Sequence, residues 1–199
     1  MSKLHLIVEG DGDKLALPIL VRKILNANAL DHVQLTQPQT SGDIRKVFKR
    51  LNDFMGYGLK NACPILWVLD GDVKIDGTDG CPVRHVENLR VAMAEQQIHQ
   101  TQPVEFAFFT KEFESLFLAE KQALKDFYRL PEALAIDAGA ALRRDAKGEI
   151  SKLLGKERGY KESIDQAKIA ARLDLATCRA VSRDYRHFED AILRLCNPQ

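Results

Sequence analysis

Three short stretches put acids where chemistry can use them. Glu9 ends an apolar run and is followed by Gly10-Asp11-Gly12-Asp13. Asp70 ends a second run and is followed by Gly71-Asp72, and Glu112 and Glu114 come just after a third. Carboxylates gathered in one place raise one another's pKa, and a divalent cation removes the repulsion. An all-oxygen ligand set favours Mg²⁺ or Mn²⁺ over Zn²⁺. Such an ion activates water and stabilises charge on a phosphate. Glycine after Glu9 and Asp70 lets the chain turn tightly beside a ligand. Each piece also has a plain structural reading, as a helix N-cap or a polar turn. The conjunction of two acidic turns, each after a strand, points to a site.

The elements that must position these acids follow from pattern. Lys3 to Val8 reads as a buried strand, and Pro64 to Leu69 as the strongest strand in the chain. Val104 to Phe109 is a further strand, and His32 to Thr36 a weak one. Helical periodicity covers Lys14 to Asn26, Asp43 to Phe54 and Val83 to Gln97. Asp11 or Asp13 can cap the first of these helices, whose regular part Pro18 either kinks or delays to near Leu17. Residues 37–42 and 73–81 read as loops. Alternating strands and helices predict an α/β fold with a mostly parallel four-stranded sheet. Ligands of such sheets bind beyond the carboxyl ends of the strands. Glu9, Asp70 and Asp72 therefore converge if the strands over 3–8 and 64–69 are neighbours. After Glu114 only helices are expected, over 113–118, 122–128, 147–154, 164–173 and 188–195. The chain divides into a core over 1–118 and a helical extension over 119–199, packed as one unit.

The chain has 199 residues, 45% hydrophobic and 29% charged, which suits a folded core and excludes a disordered chain. No apolar run approaches the ~20 residues of a membrane helix. Glu9 arrives too early for a signal peptide, so a cytoplasmic protein is expected. The net charge is +1. Residues 61–110 carry three basic and seven acidic side chains, against nine and six in residues 1–60. Cys63, Cys81, Cys178 and Cys196 lack zinc-site spacing and read as free thiols. His5 and Trp67 read as structural, within strands. Arg183 and Arg186, three apart near the last helix, can hold a phosphate or simply form surface ion pairs.

Ile7-Val8-Glu9-Gly10 followed by Leu69-Asp70-Gly71-Asp72 resembles the Toprim domain of topoisomerases, primases and small recombination nucleases. The nucleases of the overcoming-lysogenization-defect type share that domain. The resemblance implies a Rossmann-like Toprim core and Mg²⁺- or Mn²⁺-dependent phosphodiester hydrolysis of nucleic acid, DNA ahead of RNA. It assigns Glu9, Asp70 and Asp72 as catalytic and metal-binding acids. In the nuclease relatives a further acidic pair and a lysine complete the site. Glu112 and Glu114 can supply the acids, and Lys147 or Lys161 the lysine, Lys161 being the catalytic candidate. Arg183 and Arg186 are the candidate nucleic-acid contacts. The segments Glu112 to Ala119, Tyr160-Lys161, Asp165-Gln166 and Ser182 to Glu189 are similar to a bacterial Toprim-like family of unknown function. Its members are often encoded beside ATPases in what look like defence or mobile-element loci. No G-x-x-x-x-G-K-[ST] sequence is present, so any nucleotide-driven step would need a partner ATPase. Two alternatives stand beside the nuclease. One is a non-catalytic Toprim-like scaffold docking on an ATPase. The other is a haloacid-dehalogenase-like phosphatase with Asp70 as nucleophile and Asp72 as acid–base residue. The second leaves Glu9 idle and lacks a later strand ending in paired aspartates.

Overall fold

Lys3–Val8 form β1, whose side chains alternate between two apolar cores: Leu4, Leu6 and Val8 enter one and Ile7 the other. The computed structural model describes residues 2–71, 81–98, 101–137, 139–155 and 158–197. The chain turns at Gly10 into α1 (Asp11–Ala27), which keeps Pro18 inside the helix rather than beginning after it. Two short strands follow, β2 (Gln34–Leu35) and β3 (Gln39–Thr40), both parallel to β1. Residues 39–40, expected within a loop, thus belong to the sheet. Pro38, which has no N–H to donate, sits where that track is interrupted.

The helix expected over 43–54 is two helices, α2 (Ile44–Lys49) and α3 (Leu51–Lys60). Asp43 caps the first by accepting from the N–H groups of Arg45 and Lys46. The break at Arg50 lets Ile44 and Val47 of one helix and Leu51, Phe54 and Met55 of the other bury in the same core. Then come β4 (Ile65–Asp70), α4 (Pro82–Glu95) and β5 (Val104–Phe109). The order across the sheet is β2-β1-β4-β5, every described pairing is parallel, and β5 forms an edge. Trp67 is wholly buried, its indole N–H donating to Ser41 Oγ at 3.1 Å.

The rest of the described chain is helical: α5 (Ser115–Glu120), α6 (Gln122–Tyr128), α7 (Ala146–Leu154), α8 (Glu162–Ala170), α9 (Leu175–Val181) and α10 (Arg183–Cys196). A single 3₁₀ turn lies at Ala140–Leu142. The short α9 escapes the periodicity test, although Asp174 caps it through Thr177 N–H. The last helix starts at Arg183, five residues earlier than its apolar stripe suggests, because Ser182 Oγ caps Tyr185 N–H. Buried residues of α1 and of the C-terminal helices form one continuous core against Leu66, Val68, Ala107 and Phe109. The helices α2, α3 and α4 cover the opposite face, on Ile65, Trp67 and Leu69. Cys63 and Cys178 are buried free thiols. Among the described residues no helix is long and apolar enough to cross a membrane.

Candidate active site

β1 and β4 are neighbours, with Ile7 opposite Trp67, so Glu9 and Asp70 leave the sheet side by side. The main-chain N–H of Asp70 donates to Glu9 Oε2 at 3.1 Å. Asp70 Oδ1 accepts from Phe113 N–H, also at 3.1 Å, which ties β4 to the turn after β5. In that turn Phe113 packs edge-on against Phe109 and Phe117, anchoring the chain between Glu112 and Glu114. Glu114 is almost wholly buried, whereas Glu112 keeps part of its surface. Asp72 lies outside the described residues.

The helices complete the cluster. Asp13 accepts from Gly10 N–H at 3.0 Å, closing the first turn of α1, and its other oxygen accepts from Gln166 Nε2 at 3.1 Å. The same Gln166 amide donates to Glu114 Oε1 at 3.1 Å, and Tyr160 OH donates to that oxygen at 2.8 Å. The close contact of α8 with α1 depends on Gly12. A Cβ there would lie 2.5 Å from Glu162 Cγ and 2.6 Å from Gln166 Oε1. Lys147 enters from the first turn of α7. Its N–H donates to Glu112 Oε2 at 3.2 Å. Its ammonium lies 2.9 Å from Glu162 and 3.9 Å from both Glu112 and Glu114.

Charge is poorly balanced here. Burial pushes the Asp70 carboxyl well above its ordinary pKa, and the charges of Asp13, Glu9 and Glu114 push it further. Burial likewise raises Glu114 to about 7, against the pull of Lys147 and Tyr160. Asp13 is raised by burial, with the bonds from Gly10 and Gln166 opposing. Burial pulls Lys147 downward, but Glu114, Glu162 and Asp70 outweigh it, so the ammonium is held more firmly than usual. Glu114 Oε2 is buried without a hydrogen-bond partner among the described residues. No group of three or more His, Cys, Asp or Glu side chains among them is drawn together tightly enough to hold a metal ion. The donor set is nonetheless all oxygen, crowded and short of positive charge. That chemistry fits Mg²⁺ or Mn²⁺, with Glu9, Asp70, Asp13 and Glu114 as the available ligands.

Of the residues singled out from sequence, the structure brings Glu9, Asp70, Glu112 and Glu114 to one edge. Lys161 is exposed, and its main-chain N–H donates to Asp165 at the start of α8. The lysine among the carboxylates is Lys147. Asp13, Glu162, Gln166 and Tyr160 were not singled out as site residues. Asp13 carries a visible signal, since it follows Glu9 by four residues, but capping by Asp11 or Asp13 already accounts for it; in the structure Gly10 is the N-cap and Asp13, in the first turn, accepts from Gly10 N–H. On α10, Arg183 is exposed and donates to His187 Nε2 at 3.3 Å, while Arg186 donates to the carbonyl of Arg179 at 2.8 Å. Arg179 pairs with Glu189 and Asp190, and Arg194 pairs with Glu105.

No curated protein matches the chain. Among solved structures it is similar to the C-terminal region of the Burkholderia pseudomallei OLD protein, at 13% identity and a TM-score of 0.49, over 95% of this chain and 98% of that one. It is also similar to the C-terminal region of the Xanthomonas campestris pv. campestris OLD protein, at 16% identity and a TM-score of 0.45, over 96% of each. The model of a domain of unknown function, DUF4276, matches residues 8–193, and the chain belongs to that family.

Proposed function

We propose that the chain is a Mg²⁺- or Mn²⁺-dependent phosphodiester hydrolase acting on nucleic acid. The observation that carries this reading is the cluster at the carboxyl edge of the sheet: Glu9, Asp13, Asp70 and Glu114 crowded together, with Lys147 beside them. The Toprim-like order of Glu9, Asp70 and Asp72 in the sequence supports it.

Glu9, Asp13, Asp70 and Glu114 would hold the cation, with Asp72 as a further candidate ligand. A bound divalent cation would polarise a phosphate oxygen and lower the pKa of water. Lys147 holds a fixed positive charge where negative charge grows on a phosphate. Tyr160 and Gln166 orient Glu114, and Gln166 orients Asp13. In the metal-free site burial holds the Glu114 carboxyl at about 7, so near neutral pH a bound cation would displace a proton from it. Arg183 and Arg186 would contact the nucleic-acid backbone, adding a salt-dependent share of the affinity. A partner ATPase would supply any nucleotide-driven step, as in a defence system. The test is cleavage of supercoiled DNA, linear DNA and RNA with Mg²⁺ or Mn²⁺. Cleavage that vanishes in Asp70→Asn and in EDTA supports the reading. A folded wild type that cleaves none of the three with either metal counts against it.

A further inference from the structure

The open edge of β5 carries a second feature beside the carboxylates. In a parallel ladder alternate residues bond to one side. Ile65 N–H donates to the carbonyl of Pro103 and Gly71 N–H to that of Phe109, so odd-numbered residues of β5 face β4. The N–H and C=O groups of Val104, Phe106 and Phe108 therefore point out of the sheet. Among the described residues β5 pairs with no other strand. The edge is closed only at its carboxyl end, where Asp184 accepts from Thr110 N–H at 2.6 Å and from Thr110 Oγ1 at 2.9 Å.

This edge is the floor of a groove between α4 and α10. A cavity of about 360 Å³ is lined by Val83 on one wall, Arg183, Asp184 and His187 on the other, and Phe106, Phe108 and Thr110 below, with the Asp184 carboxylate engaged by Thr110. A second cavity of about 410 Å³ shares Phe106 and continues along β5 past Arg90. Arg183 has no carboxylate within ion-pair distance among the described residues. Thr110, at the carboxyl end of this groove, lies beside Gly71, the residue after Asp70: a Cβ on Gly71 would lie 3.2 Å from the main chain of Thr110.

We propose that this groove holds unpaired nucleotides of the strand on which the carboxylate edge acts, an inference that takes its substrate class from the phosphodiesterase reading. An unpaired base presents donors and acceptors on its Watson–Crick edge, and a duplex hides them. The outward N–H and C=O groups of Phe106 and Phe108 offer the complementary set inside an apolar groove. Arg183 supplies the charge for the adjoining phosphate. A peptide strand added to the same edge would leave that charge unused, and Asp184 blocks its extension past Thr110.

The test is fluorescence anisotropy in EDTA, with a labelled thymidine oligonucleotide of about 12 residues, free or annealed to its complement. Val83 and Arg183 are exposed, so Val83→Glu and Arg183→Ala retain the fold, which circular dichroism checks. The single strand is expected to bind about tenfold more tightly than the duplex, and each variant to weaken it about tenfold. Equal affinity for the two forms, or groove variants that bind like wild type, would overturn the proposal. Absence of metal-dependent cleavage with this binding pattern intact would instead refute the phosphodiesterase reading and leave the groove assignment standing.

Discussion

Glu114→Gln gives the sharpest reading of the carboxylate cluster in the metal-free protein. The Glu114 carboxyl rises from an ordinary 4.5 to about 7 because it is buried. Between those values the folded state keeps a proton that the unfolded state has released. Folding stability therefore falls as pH rises through that window and levels off above it. A shift of that size corresponds to about 3 kcal/mol lost between pH 4.5 and 8. Asp70 and Asp13 are displaced in the same direction and steepen the fall. The glutamine cannot ionise, yet its amide oxygen still accepts from Tyr160 and Gln166, and Glu162 at 2.9 Å still faces Lys147. The stability difference, variant minus wild type, is thus expected to move in the variant's favour by about 3 kcal/mol across the window. For a chain of this length that is a change in Tm difference of about 6–12 °C. Urea melts in EDTA at pH 5, 6, 7 and 8 measure it. Parallel stability profiles, within about 1 kcal/mol over the whole range, would refute the assignment of a buried, proton-holding Glu114.

Other perturbations follow from the same geometry. Gly12→Ala forces α8 away from α1, since the added Cβ meets Glu162 and Gln166; a loss of about 1–3 kcal/mol in urea melts is expected. Lys147→Met removes the positive charge facing Glu112, Glu114 and Glu162. Its cost should be small at pH 5 and reach about 2–4 kcal/mol at pH 8, and any metal-dependent cleavage should fall at least about tenfold. Lys161→Met, at an exposed position, should cleave and melt like wild type within about 0.5 kcal/mol. Asp184→Ala strands the Thr110 N–H and should cost about 1–3 kcal/mol by the same melts.

The sheet and its acids were legible because local chemistry names them. Val8 before Glu9, and Leu69 before Asp70, mark the ends of buried strands, and parallel pairing then brings those ends together. The interrupted track of β2 and β3 was harder to see, because two-residue strands on either side of Pro38 leave no alternation to detect. The partners supplied by the helices were not legible. Gln166 meets Asp13 across 153 residues of sequence, and that meeting depends on how α8 packs against α1. The two lysines differ in sequence only by context. What separates Lys147 from Lys161 is the packing of α7 beside the turn after β5. Asp13 was visible but already had a sufficient explanation as a cap, and capping does not exclude a second role for its other oxygen.

The most direct test of the central claim is a calorimetric Mn²⁺ titration of the wild type against Asp70→Asn, both confirmed folded, at pH 8. The account predicts saturable binding by the wild type and loss of most of that binding in the variant. Equal binding by the two proteins, or none by the wild type at millimolar Mn²⁺, would contradict a carboxylate metal centre at this edge of the sheet.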